Sequence, residues 1–268
     1  MTLEILICTM EGRLEQVSQM LLPVHEGIRY LVSCQYQQYE PSVPQELRLR
    51  GDVKVVFLKG RGLSHNRNNA LQHAINDILL IADDDGRFYA GGLEEIIHTY
   101  EHHPEVDIAL FQVDGMSKYY PDEPFRLTEK DFAGPYGTAS VEITLRRASL
   151  GMLRFNPHFG LGSDYLSAGE EQVFLYDALH RDMNVTYFPI KIASTSPCTT
   201  GERFLSDASV QRSKGATFCY LFGRRKAMLM CLKESLHYFV YKFVNPIRLM
   251  YNMNHGIHYV VNQKLCRR

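Results

Sequence analysis

Three consecutive carboxylates, Asp83, Asp84 and Asp85, follow directly on the apolar run Ile78-Leu79-Leu80-Ile81-Ala82. The run reads as a buried strand, and three acids packed at its end repel one another unless a cation or bound ligand compensates them. Ligands of open α/β sheets collect at the carboxyl ends of strands, and hard divalent ions such as Mg²⁺ or Mn²⁺ take oxygen donors completed by substrate phosphates. A metal-assisted phosphate site is one reading of the triplet; a solvated Asp-rich turn is the other.

Two flanking segments bear on that choice. Upstream, Gly60-Arg61-Gly62-Leu63-Ser64-His65-Asn66-Arg67-Asn68-Asn69-Ala70 places a hydroxyl, a guanidinium and amides in the first turns of a helix, where free N–H groups and the helix dipole attract anions. Arg67 has a planar fork suited to a phosphate or a uracil-like edge. Downstream, Gly169-Glu170-Glu171 opens another helix. Its paired acids suit either proton removal from an acceptor hydroxyl or simple favouring of the helix N-terminus.

Elements able to position these groups alternate along the chain. Leu3 to Cys8, Ile28 to Ser33, Val53 to Leu58, Ile78 to Ala82 and Val106 to Val113 read as strands. Between them lie helical spacings at Leu14, Val17, Met20 and Leu21, at Ser64 to Asn76 with Ser64 as N-cap, and at Gly92 to Tyr100. This alternation predicts a mostly parallel, doubly wound sheet. A Pro-rich loop covers about Tyr119 to Tyr136, followed by a strand at Ala139 to Leu145 and a glycine-bearing loop at Phe155 to Gly162. Glu170 to His180 reads as a helix, Val185 to Phe188 as a short strand and Thr195 to Gly201 as a flexible loop.

In order, these pieces resemble a family 2 glycosyltransferase of the GT-A fold. The resemblance rests on Ile5 to Thr9 as the nucleotide-binding strand, Ser64 to Asn68 as an S-x-x-R-N segment, Asp83-x-Asp85 as the D-x-D motif and Gly169-Glu170-Glu171 as a G-E-D-like acceptor motif. It implies a Rossmann-like α/β sheet with helices on both faces over residues 1–213, divided into a nucleotide-sugar half (1–115) and an acceptor half (116–213). By the same resemblance Thr9, Glu11, Arg67, Asp83 and Asp84 line the nucleotide-sugar pocket, and Asp85 with Asp83 holds Mn²⁺ or Mg²⁺ on the diphosphate. Glu171 is then the base on the acceptor hydroxyl, giving inversion, and Glu170 positions it.

Three positions depart from the family pattern. Ser33-Cys34-Gln35 stands where an Asp usually reads the nucleobase, which leaves Gln35 or Asp52 to substitute. Glu171 replaces an Asp, adding one methylene to the base. Ile192-Ala193-Ser194-Thr195 lacks the His that many relatives add to the metal.

The implied activity is transfer of a sugar from a nucleotide-diphosphate donor to a glycan or polyprenyl-linked acceptor, as in bacterial surface polysaccharide synthesis. A nucleotidyltransferase making nucleotide-sugars is the enzymatic alternative. It calls for a glycine-rich loop after the first strand, whereas Cys8-Thr9-Met10-Glu11-Gly12-Arg13 has a single glycine. A non-catalytic protein on a transferase scaffold is the other alternative, and Asp83, Asp85 and Glu171 argue against it.

Composition sets the outer bounds. With 268 residues, 45% hydrophobic and 22% charged, the chain can bury a full core. Neither a secretory leader nor an apolar run of about 18 residues is visible, and the six cysteines form no C-x-x-C pair, which predicts reduced thiols in a cytoplasmic protein. The net charge of −1 conceals an asymmetry: residues 214–268 hold ten Lys/Arg against Glu234 alone, so this tail carries +9 and residues 1–213 carry −10. Basic residues mixed with aromatic and aliphatic ones from Arg224 to Tyr251 suit helices lying on the anionic inner face of a plasma membrane, or helices that pack on the catalytic domain with a solvated basic face. No nucleic-acid motif accompanies the charge. His158, in the loop expected to border the acceptor, is a further candidate.

Overall fold

The computed structural model describes residues 1–116, 118–133, 137–195 and 200–266. In chain order the elements are β1 (Leu3–Met10), β2 (Ile28–Tyr36), α1 (Gln45–Arg48), β3 (Val53–Lys59), α2 (Leu63–His73), β4 (Ile78–Asp83), β5 (Arg87–Phe88) and α3 (Ala90–His102). Then follow β6 (Ile108–Asp114), β7 (Phe125–Arg126), β8 (Ile143–Arg146), α4 (Glu170–Leu179), β9 (Val185–Ser194), α5 (Ala208–Lys242) and α6 (Pro246–Asn262).

The chain forms two compact units, residues 1–155 with 174–197 and residues 156–173 with 198–268. In the first, the sheet order is β3-β2-β1-β4-β8-β6-β9-β5, with β7 paired to β9. Strands β1 to β4 are parallel, as their continuous apolar runs predict. Alternate residues face opposite ways: Ile5, Ile7, Val32 and Leu80 join one core with Leu14, Val17, Leu93 and Ile96. Leu6, Leu31, Leu79 and Ile81 join the other with Ala70, Leu71, Phe174 and Leu175. Helices therefore cover both faces of the sheet.

The structure sharpens several expectations. The segment with helical spacing after β1 is a 3-10 helix, Glu11–Met20, and turns only Leu14, Val17 and Met20 inward. The strand expected at Ala139 begins as a 3-10 turn, Ser140–Glu142, and then enters the sheet as β8, antiparallel to both β4 and β6. The short strand expected at Val185 runs on to Ser194, because β6 pairs with it across two register shifts. Of the expected loop at Thr195 to Gly201, residues 196–199 lie outside the described residues.

The second unit is built on α5 and α6. The division of sequence expected at residue 214 falls inside α5, which starts at Ala208 with the Asp207 side chain accepting from the Ser209 N–H. Gly223 breaks α5 at φ 75°, and Pro246 opens α6 with Asn245 as its cap. The two helices approach closely at Gly256, where a Cβ would lie 1.8 Å from the Arg212 carbonyl oxygen, so only glycine fits. Among the described residues no helix is long and apolar enough to cross a membrane.

Candidate active site

Parallel register brings the expected donor-side residues to one edge of the sheet. Cys8 pairs with Asp83, and Thr9 and Met10 pair with Cys34 and Gln35, so Thr9, Gln35 and Asp83 share the carboxyl ends of β1, β2 and β4. Helix α2 starts beside them at Gly62, which occupies the cap position without a side-chain bond; Ser64, expected as the N-cap, is buried in the first turn instead. Asn66 ties this corner together. Its Nδ2 donates to the Thr9 and Ser33 carbonyls at 2.9 and 3.0 Å, and its Oδ1 accepts from the Ser33 hydroxyl at 2.6 Å.

The three aspartates are not equivalent. Asp83 is held from two sides: Arg67 Nη2 donates to Oδ1 at 3.0 Å and the Ser140 hydroxyl to Oδ2 at 3.0 Å. Asp84 turns inward, where Thr9 Oγ1 donates to Oδ2 at 2.6 Å and Arg13 Nη2 lies 2.7 Å from Oδ1. Burial pushes its carboxyl above the ordinary value, against the Thr9 hydrogen bond and the Arg13 charge. Asp85 is exposed. Its carboxyl is also pushed up, first by desolvation and then by the neighbouring Asp83 charge.

Arg67 is 1% exposed and lies over the Phe155 ring with its centroid 5.3 Å away. The guanidinium, expected from sequence to help hold the nucleotide, reaches that edge through Asp83 Oδ1. Asn68 is likewise used inside the protein, its amide exchanging two hydrogen bonds of 2.8 Å with the Phe155 backbone. Both carboxylate oxygens of Asp84 are also engaged by the chain.

Of the two candidates for the missing base-reading Asp, the structure removes one. Asp52 precedes β3 at the opposite end of its strand and is held bidentately by Arg50 at 2.9 and 2.5 Å. Gln35 remains at the site edge, its Nε2 donating to the Gly62 carbonyl at 3.0 Å. Glu11 is exposed next to this edge and accepts from the Gln37 N–H at 3.2 Å. Arg13 and Ser140 are additions that sequence reading missed. Arg13 had only its nearness to Glu11 to mark it, and Ser140 reaches Asp83 because β8 inserts beside β4.

For a metal, oxygen donors are at hand: Asp83 is 36% exposed on its side chain, and the crowding of Asp85 by Asp83 is what a divalent cation relieves. Among the described residues no three acidic, imidazole or thiol groups form a ready cage. Two carboxylates alone fit only an ion that takes its remaining ligands from outside the chain. Cys8, behind them, is buried, and its thiol is pushed up to about 12 by desolvation, which leaves it inert at neutral pH.

In the second unit, Gly169 at φ 93° sets the start of α4, with Thr217 Oγ1 2.2 Å from where a Cβ would stand. Glu170 is 4% exposed and Glu171 is half-buried, so Glu171 is the more accessible of the pair. The loop before them rests on the C-terminal helices. His158 Nδ1 is 2.8 Å from the Tyr259 hydroxyl, Tyr165 stacks on Tyr259 at 4.9 Å, and Phe159 meets Tyr220 edge-on at 5.7 Å.

Comparison with known proteins bears on this arrangement. Residues 37–153, from the end of β2 through Asp83 to Asp85 and β8, match the family described as Glycosyl transferase family 2. The match spans 117 of the 268 residues. Glycosyl transfer is the reaction class it assigns. No curated protein matches the chain. Among solved structures, S. aureus TarS 1-349 in complex with UDP-GlcNAc is 14% identical with a TM-score of 0.57, over 100% of this chain and 93% of that one. The glucosyl-3-phosphoglycerate synthase from Mycobacterium tuberculosis in complex with Mg2+ and UDP is 15% identical with a TM-score of 0.55, over 83% of this chain and 79% of that one. Such likeness shows the fold, which is GT-A.

Proposed function

We propose that this chain is an inverting family 2 glycosyltransferase that uses a nucleotide-diphosphate-sugar and a divalent cation. The observation carrying this reading is Asp83 pinned between Arg67 and Ser140 beside the exposed Asp85, on the sheet edge that also presents Thr9 and Gln35. A carboxylate fixed on both oxygens is pre-organised for a ligand, since no rearrangement is needed when one arrives. Asp85, with Asp83, would hold Mn²⁺ or Mg²⁺. When bound, that ion neutralises the charge of the departing diphosphate.

The chain's own groups do the rest. Gln35 and Glu11 border the nucleobase and ribose; uracil is the base to test first, because solved structures of the same fold hold UDP or UDP-GlcNAc. Thr9 and Arg13 lock Asp84 and so the turn that presents Asp85. Glu171 removes the acceptor hydroxyl proton as the oxygen attacks the anomeric carbon from the face opposite the diphosphate. Glu170, being buried, positions it. The acceptor is a glycan or polyprenyl-linked glycan of bacterial surface polysaccharide synthesis, met at the cytoplasmic face of the membrane.

A panel of nucleotide-sugars screened by thermal unfolding with and without Mn²⁺ tests the donor reading. A donor at a hundred times its Kd adds about 2.7 kcal/mol of apparent stability. The expected outcome is stabilisation by one nucleotide-sugar, dependent on the ion and lost in Asp85→Asn. Stabilisation that persists unchanged in that variant overturns the assignment of Asp85.

A further inference from the structure

Beyond Gly223 the character of α5 changes. Leu229, Leu232, Leu236, Phe239 and Val240 recur along one side of the helix at 47–69% exposure, while Ala227, Cys231 and Ser235 on the other side are buried. The pattern continues through the turn, where Phe243 is 89% exposed, into Ile247 and Tyr251 of α6 at 79% and 63%. Between the two helices lies an apolar cleft of about 500 Å³ lined by Met228, Leu232, Leu236, Ile247, Met250 and Tyr251. A contiguous apolar surface of this kind marks an interaction site.

Charge identifies what covers it. Arg224, Arg225, Lys226, Lys233, Lys242 and Arg248 are all exposed around these residues. The one acid of the segment, Glu234, faces Lys214 at 3.7 Å. Among the described residues no carboxylate pairs with any of the six cations. Three of them begin the helical stretch after Gly223, where positive charge opposes the helix dipole, so their placement does not serve helix stability. A second copy of the chain would bring this positive surface against itself in a two-fold contact and be repelled. An anionic lipid surface accepts both features at once, with the apolar side chains in the acyl boundary and the cations among the headgroups.

We infer that the second half of α5 and the start of α6 form a membrane-docking face that lies on anionic lipid without spanning it. This deepens the membrane-face reading given above by naming the surface that meets the bilayer. It is tested on the full chain by co-sedimentation with phosphatidylglycerol-containing vesicles against pure phosphatidylcholine. Binding is expected only to the former and should weaken with salt.

Neutralising Arg224, Arg225 and Lys226 to Gln should lower vesicle affinity about a hundredfold, since each cation contributes about fivefold at an anionic surface. The pair Leu229→Asn and Phe243→Asn, both at exposed positions, should lower it at least tenfold with an unchanged melting temperature. Equal vesicle binding by the wild type and both variants overturns the proposal. So does an unbound wild type that forms a dimer in light scattering which the Asn variants break, because the face then belongs to a second copy. Donor-induced thermal stabilisation, read on the same proteins, separates the two assignments: its loss with vesicle binding intact fails the donor reading and leaves the docking face standing.

Discussion

The carboxylate edge of the sheet and the far half of α5 are both rich in charge, yet they treat it oppositely. At the sheet edge each inward group has a partner in the chain: Arg67 and Ser140 for Asp83, Thr9 and Arg13 for Asp84. On α5 beyond Gly223 and at the start of α6 the cations stand exposed without carboxylate partners among the described residues, beside apolar side chains that are also exposed. The cost of burying a polar group explains the first pattern, because an unpartnered buried carboxylate is destabilising whereas an exposed cation is hydrated. The contrast separates residues that stabilise the fold from residues whose counterparts lie outside it. Asp85 departs from this pattern at the sheet edge, exposed and without a side-chain partner among the described residues, and Asp83, partnered yet 36% exposed, stands between the two classes.

The sharpest way to break this contrast is Asp85→Asn. Transfer should be abolished with melting unchanged, since an exposed charge that serves a ligand contributes little to the fold; near-wild-type turnover at saturating donor and metal would refute its role. Next in size is Glu171→Gln, with an expected loss of ~10²–10⁴-fold in turnover and retained donor-induced stabilisation. Glu170→Gln should lose less, and the reverse order in acceptor-saturated assays would exchange the two assignments.

Stability effects sharpen the comparison further. Thr9→Val removes the hydroxyl that donates to buried Asp84 and should cost about 1–3 kcal/mol in chemical denaturation. Leu229→Asn, on the exposed face, should stay within about 0.5 kcal/mol of wild type. Similar losses for the two would mean that α5 is packed where it stands open here.

The smallest effect is a pH slope. The folded chain keeps the Asp84 proton at a pH where the unfolded chain has released it, because burial raises the carboxyl. That contribution is present in acid and is lost as pH rises through the raised value. Wild-type stability minus that of Asp84→Asn should therefore fall as pH is taken from about 4 toward neutrality. A difference that grows over the same range contradicts the inward placement of Asp84.

Much of the donor side was legible because it is local. The run Ile78 to Ala82 had to be a buried strand, the acids had to follow at its end, and Gly60 to Ala70 had to open a helix; each is decided within a few residues by periodicity and turn chemistry. The tail's charge asymmetry and the Pro246 break were equally plain. What only the tertiary structure decided is pairing between distant segments. Asp84 differs from its neighbours because β1 lies beside β4 and brings Thr9 to it. Arg67 serves Asp83 because α2 is buried against Phe155, 88 residues away in sequence. Ser140 reaches the same carboxylate because β8 inserts antiparallel where the strand–helix alternation predicted parallel neighbours. A sequence states which groups are present and their local spacing; which of two adjacent acids turns inward depends on the free energy of contacts made across the sheet, and those exist only once the strands are assembled.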